Sequence, residues 1–263
     1  MSKIALEIVP DPDDEQCAMV QAVGSVNGLE TRFMVDTGAA RTQIVTSPVL
    51  RFGDEVTTHS SNGVFGTSTR PVHRIDRIDV GDLSWREIEV VVEETGPHIM
   101  PLLGMDLLGQ YSLTFDFARA ELHVDERVTA EATFPIWRGA GGHLYVEAQL
   151  GDTVAHCVWD SGAGMTVVDE TFWRANQEHF SELGMSEGID ATGATQTTGL
   201  YELRGLRLGD RDFAPHHVAV VDLSNVNATL ERPMNFILGF PTLRQAKWWF
   251  DMKHNLWTLG ESD

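Results

Sequence analysis

Phe33-Met34-Val35-Asp36-Thr37-Gly38-Ala39, continuing as Ala40-Arg41-Thr42-Gln43-Ile44-Val45, and Cys157-Val158-Trp159-Asp160-Ser161-Gly162-Ala163, continuing as Gly164-Met165-Thr166-Val167-Val168, follow one plan. Each is a short apolar run, then Asp-(Thr/Ser)-Gly-Ala, then a second apolar run. The offset from Asp36 to Asp160 is 124. A lone Asp-(Ser/Thr)-Gly arises by chance in roughly one chain in ten of this size. Its ordinary role is an Asx-type turn at a strand end. Two copies at equivalent places are not what chance turns produce.

The likeness extends downstream. Val80-Gly81-Asp82, with Trp85 and Val90-Val91-Val92, matches Leu208-Gly209-Asp210, with Phe213 and Val218-Ala219-Val220, at offset 128. Leu102-Leu103-Gly104-Met105-Asp106 matches Ile237-Leu238-Gly239-Phe240-Pro241, and Leu113-Thr114-Phe115-Asp116 matches Trp248-Trp249-Phe250-Asp251, both at offset 135. Four blocks in one order, with offsets that loop insertions explain, indicate two copies of one unit. The boundaries expected are residues 1–127, a connecting segment 128–138 carrying one strand, and residues 139–263.

Periodicity is mostly that of strands. Tyr111–Phe117 alternates with period two, Glu87–Val92 and Glu121–Val124 are short and apolar-rich, and Gly, Asn and Asp punctuate them. Residues 107–110, 242–246 and 171–182 read as helices. The expectation is an all-β chain of two six-to-seven-stranded β-barrel lobes with short helices and a cleft between them.

The chain has 263 residues, 39 acidic against 19 basic, and a formal charge of −20. Its mean field repels phosphates and anionic membranes, so a nucleic-acid or membrane partner is not expected. No run approaches the roughly 18 apolar residues a bilayer span needs. The first ten residues lack the long apolar region of a secretory signal, and two cysteines do not make a disulfide framework, so the reading is cytoplasmic. Asp11–Glu15 reads as a solvated acidic loop.

The paired motifs make chemical sense if their loops face each other. Two carboxylates about 3 Å apart repel by roughly 5 kcal/mol at an effective dielectric near 20, so the pair holds one proton. One member is then a base toward water and the other an acid toward a carbonyl, without metal, cofactor or covalent intermediate. Thr37 and Ser161 have hydroxyls that can bond across to the opposite loop. Gly38 and Gly162 permit close backbone approach, and Ala39 and Ala163 are again small.

On these residues the sequence resembles the aspartic peptidases, and the retropepsin-like branch more than the pepsins. The Asp-Thr-Gly-Ala form, the Leu-Leu-Gly-Met-Asp block and Phe115-Asp116-Phe117 carry the likeness over about residues 18–126 and 142–260. Retropepsin-like chains usually hold one unit and dimerise, so this chain is similar to a fused, bilobal form with a pseudo-twofold, expected to act as a monomer. The resemblance implies Asp36 and Asp160 as the catalytic dyad, with Thr37, Gly38, Ser161 and Gly162 orienting it. It implies Leu103-Gly104 and Leu238-Gly239 beneath the loops and a hairpin flap over an extended peptide substrate. Flap candidates are Thr58–Thr69, with Asn62, Gly63 and Val64, and Asp190–Gly199, with Thr192 and Gly193. An ordinary surface hairpin remains open for both. Neither carries the flap tyrosine of pepsins.

Other features point elsewhere only weakly. His216-His217 would point to opposite faces of a strand, so no metal site is expected. Gly139-Ala140-Gly141-Gly142 lacks a following helix pattern and so makes a poor phosphate loop. Trp248, Trp249 and Trp257 read as core, and Cys157 as a buried small apolar residue. A peptide-binding protein without hydrolysis, and a two-carboxylate glycosidase, stand as alternatives to an endopeptidase.

Overall fold

Short β-branched and aromatic runs separated by Gly, Asn and Asp turns fold here into sheets. A computed structural model describes residues 2–62, 67–96, 99–126, 132–139, 142–189 and 195–260. The chain is all-β with short helices.

Its strands form three sheets. One takes eight strands between Glu7 and Leu103, in the order Glu7–Pro10, Ala18–Val26, Leu29–Val35, Leu102–Leu103, Gln43–Val45, Leu83–Glu93, Thr67–Val80, Glu55–Asn62. A second takes ten strands between Trp137 and Leu238, with the Phe180–Ile189 and Thr195–Leu203 hairpin at one edge. The third has six strands drawn from both ends and the middle of the chain: Ser2–Ala5, Glu121–Val124, Leu113–Asp116, Lys247–Asp251, Leu256–Gly260 and Phe134–Pro135. The strand counts therefore differ from six to seven per lobe, because long hairpins extend two sheets and the third draws on both halves. In it the matching blocks pair directly and antiparallel, Thr114 opposite Trp249 and Phe115 opposite Trp248.

Aromatic side chains of both halves meet beneath the second motif. Trp159, fully buried, lies 4.7 Å from Phe115 and 4.8 Å from Phe250 between ring centroids. Trp248 and Trp257 are buried with it, as expected, while Trp249 is only half-buried and its indole N–H donates to the Glu126 carbonyl at 3.2 Å. The buried tryptophans are core, and only the edge of Trp257 reaches a small surface groove with Phe134 and Gln149. Burying such rings stabilises the junction of the halves more than any surface ion pair does.

Two helices fall near their expected places, at Met105–Leu108 and Phe240–Leu243. The third expectation, residues 171–182, needs correction. The helix covers Glu170–Ala175, a 3-10 turn follows at Gln177–His179, and a strand begins at Phe180. Asp169 caps the start by accepting from the Phe172 N–H. Buried Asn176 ends the helix by donating from Nδ2 to the Phe172 carbonyl at 2.8 Å. The connecting segment holds two short strands rather than one, Phe134–Pro135 and Trp137–Arg138.

The acidic loop is not simply solvated. Asp14 accepts from His217 Nδ1 at 2.6 Å, and Gln16 Oε1 accepts from the His217 backbone N–H at 3.0 Å. His216 points the other way, buried against Thr242, so the two histidines do take opposite faces. Cys157 is fully buried, and burial raises its thiol pKa. Among the described residues no helix is long and apolar enough to cross a membrane.

Candidate active site

Each motif follows a strand that a second strand holds in parallel. Leu29–Val35 pairs with Leu102–Leu103, and the Asp36 N–H donates to the Leu103 carbonyl at 3.0 Å. Thr153–Trp159 pairs with Phe236–Leu238, and the Asp160 N–H donates to the Leu238 carbonyl at 3.1 Å. The glycine after each of these strands is required by space. A Cβ on Gly104 would lie 2.5 Å from the Arg41 carbonyl carbon, and one on Gly239 2.3 Å from the Met165 carbonyl oxygen.

Behind the first loop, Thr42 Oγ1 donates to Asp106 Oδ1 at 2.7 Å and accepts from the Gly104 N–H at 3.1 Å. Behind the second, Thr166 Oγ1 accepts from the Gly239 N–H at 3.1 Å and lies 2.8 Å from Thr242 Oγ1. Thr242 Oγ1 in turn lies 2.8 Å from His216 Nε2. His216 Nδ1 lies 2.8 Å from the Ala214 carbonyl and 3.1 Å from Gln245 Nε2. Burial pushes the His216 pKa down, in keeping with a neutral ring.

The loops meet through their hydroxyls. Thr37 Oγ1 donates to the Trp159 carbonyl at 3.0 Å, and Ser161 Oγ donates to the Val35 carbonyl at 2.7 Å. In return the Ser161 N–H donates to Thr37 Oγ1 at 3.0 Å and the Thr37 N–H to Ser161 Oγ at 3.2 Å. Both side chains are buried, so four charge-free bonds cross the junction without competing water. Two of the four donors are the hydroxyls and two are backbone N–H groups.

Asp36 and Asp160 come together at this junction, within hydrogen-bonding reach of each other. Asp36 is 5 % exposed and its Oδ1 accepts from the Ala39 N–H at 2.9 Å. Asp160 Oδ1 accepts from the Gly162 N–H at 2.8 Å and, across the junction, from the Gly38 N–H at 3.2 Å. Burial holds the Asp36 carboxyl well above the usual carboxylate range, and the neighbouring Asp160 charge pushes the same way. Burial also raises Asp160, but the Gly162 N–H, His143 and the Gly38 N–H favour its charged form. The pair titrates as a unit, and the single proton it keeps belongs to the two carboxyls together.

The glycines admit nothing larger. A Cβ on Gly38 would lie 2.4 Å from Asp160 Oδ2, and one on Gly162 2.5 Å from Asp36 Cγ. Gly162→Ala is therefore expected to force the carboxyls apart and cost at least about 100-fold in activity, the usual scale for a 1 Å misplacement. Circular dichroism should show the sheets intact. Near wild-type turnover would show that the spacing is not critical.

Ala39 and Ala163, expected to touch substrate, hold their loops through backbone: Met105 N–H donates to the Ala39 carbonyl at 2.8 Å and Phe240 N–H to that of Ala163 at 2.9 Å. Both expected hairpins form. Asn62 pairs with Thr67, and Ile189 with Thr195. Gly63, Val64, Thr192 and Gly193 lie outside the described residues, as does the side chain of Asn62. The second hairpin is longer than expected and takes Tyr201 into its base, where the ring meets Trp173 at 5.2 Å.

Sequence reading missed His143. It lies 17 residues before Asp160, where Met19 stands 17 before Asp36. Burial pushes its pKa down, the Asp160 charge opposes that, and its Nδ1 has no hydrogen-bond partner among the described residues. A surface groove of about 520 Å³ lined by Leu29, Ile44, Leu50 and Met100 includes neither aspartate.

Residues 22–107 match a family model described as aspartyl protease. The match takes in Asp36, the first hairpin and the Leu103-Gly104 block, and supports an aspartyl protease family. The all-β architecture is consistent with the acid protease fold. No curated protein matches the chain significantly.

Proposed function

We propose that this protein is a single-chain aspartic endopeptidase built from two homologous retropepsin-like lobes, residues 1–127 and 139–263. The observation that carries the reading is the reciprocal junction. Thr37 and Ser161 lock the loops together, and the Gly38 N–H of one motif bonds the Asp160 carboxylate of the other. The direct pairing of the matching Leu113–Asp116 and Lys247–Asp251 strands supports duplication about a pseudo-twofold.

In this reading Asp160 takes a proton from water as its oxygen attacks the scissile carbonyl carbon. Asp36 gives its proton to the carbonyl oxygen, which yields a neutral gem-diol. Asp160 then passes its proton to the departing amide nitrogen, and Asp36 recovers one from a gem-diol hydroxyl as the C–N bond breaks. Proton count and charge balance, and no metal or cofactor enters. An extended peptide lies across the dyad and pairs its backbone with a hairpin, while alternate side chains enter pockets. Both aspartates come from one chain, so a monomer suffices. The acidic surface suits neither nucleic acid nor anionic membrane, and the two thiols fit a cytoplasmic setting.

The pH profile tests this. Activity needs one proton on the pair, so it falls at high pH as the pair loses that proton and at low pH as it gains a second. Because Asp36 is raised well above the usual range, the alkaline limb lies above ordinary carboxylate titration. A plot of kcat/KM from pH 3 to 8 should be bell-shaped. A flat profile would contradict a shared-proton dyad.

A further inference from the structure

Five residues beyond each aspartate the loops diverge in kind. Arg41 follows Asp36, and Met165 follows Asp160. Their stations are equivalent, since each has its backbone closed upon by the glycine of the apolar-apolar-Gly block, Gly104 against Arg41 and Gly239 against Met165. Met165 is half-buried, its Sδ 3.7 Å from the Sγ of buried Cys17. Behind that contact the thiol faces Asp14, with Arg244 in electrostatic reach.

Arg41 is half-buried, yet among the described residues its guanidinium has neither an ion pair nor a hydrogen bond. The other described cations without such a partner, Arg86, Arg138 and Lys253, are exposed. Two titratable groups lie within electrostatic reach. One is His59, on the strand of the first hairpin, whose pKa burial and then the Arg41 charge push down. The other is Asp106, whose Oδ1 already accepts from the Thr42 N–H, Thr42 Oγ1 and the Leu107 N–H at 2.7–3.0 Å. A half-buried arginine five residues beyond Asp36, within electrostatic reach of His59 on the first hairpin and left unpaired among the described residues, is a prepared site for a carboxylate.

We propose that Arg41 binds an Asp or Glu side chain of the peptide on the first-motif side of the dyad, while Met165 meets an apolar side chain on the other. The proposal rests on the peptide-cleft reading above and adds its substrate class. Unlike sites on the two sides fix the direction in which a peptide lies. The net charge of −20 repels acidic peptides at long range, so the selection acts in the bound complex and shows in dissociation rather than association.

The test uses eight-residue peptides identical except for Glu, Gln or Lys at one position, scanned along the peptide. Binding is read by fluorescence anisotropy and cleavage by mass spectrometry, on wild type, Arg41→Lys, Arg41→Met and Arg41→Glu, each checked for folding by circular dichroism. At one position wild type should bind the Glu peptide about 10- to 100-fold more tightly than the Gln peptide, the range for a hydrogen-bonded charge pair. Arg41→Lys should keep part of that ratio, Arg41→Met should abolish it, and Arg41→Glu should favour the Lys peptide. Ratios within twofold at every position, a Glu preference that survives Arg41→Met, or no binding of any peptide would each overturn the proposal. Cleavage without charge preference overturns it and leaves the peptidase reading standing. Preference in binding without cleavage does the reverse.

Discussion

Asp36→Asn is expected to abolish turnover and, at neutral pH, to raise the melting temperature. Loss of a positioned acid costs about 10²–10⁴ in rate. The stability change has the opposite sign for a stated reason. In the unfolded chain the Asp36 carboxyl ionises near its ordinary value of about 3.9. In the folded protein burial and the Asp160 charge keep it protonated to well above the usual range. Between those limits the folded state binds more protons than the unfolded state, so stability falls as pH rises through that interval. Asparagine has no proton to lose and escapes the penalty. Each 1 kcal/mol of relief raises the melting temperature of a chain this size by about 2–4 °C. Calorimetry at pH 7 and pH 3.5 should show the gain at the higher pH and little at the lower, where both aspartates are protonated. A destabilised variant at pH 7 would mean that Asp36 is a structural carboxylate rather than a strained functional one.

Thr37→Val should produce the largest loss of stability among single changes at the junction. Valine keeps the shape but removes one bond donated to the Trp159 carbonyl and one accepted from the Ser161 N–H. Both partners stay buried and unpaired, at about 1–3 kcal/mol each. The melting temperature should fall by roughly 5–20 °C, and turnover at least about 100-fold as the carboxyls lose their common alignment. Thr37→Ser retains Oγ and should cost only about 1 kcal/mol, for the lost methyl. A urea titration of the three proteins separates these cases. If valine and serine behave alike, the crossed hydroxyl bonds do not hold the loops.

The pairing of Asp36 with Asp160 is legible because its signal is local and repeated: a strand, Asp-(Thr/Ser)-Gly-Ala, a strand, twice in order. The roles of Thr37 and Ser161 were half legible. The hydroxyls show in the sequence, but the N–H groups that bond back to them do not. The supports behind the loops stayed hidden because the halves solve one problem with unlike residues. Asp106 braces Thr42, whereas Thr242 and His216 brace Thr166, and no shared motif marks the second solution. His143 escaped notice for a related reason. Its place beside Asp160 depends on how the Leu144–Leu150 strand enters the sheet, and its counterpart Met19 shares no chemistry with it. The helix over 171–182 was misjudged because its polar, helix-compatible composition carries no stop signal apart from Asn176, and the strand at Phe180 is stabilised by pairing with Thr195–Leu203. Arg41 is plain in the sequence, but that no carboxylate among the described residues pairs with it is a fact of the folded chain alone.

The most direct test is digestion of a mixed peptide library by folded wild-type protein in ¹⁸O-labelled water between pH 4 and 7, with and without a statine-type analogue. Peptides should be cut internally, the new carboxyl termini should carry ¹⁸O from the attacking water, and the analogue should stop the reaction. Folded protein that binds library peptides yet cuts none across that range would contradict the account and leave a peptide-binding protein in its place.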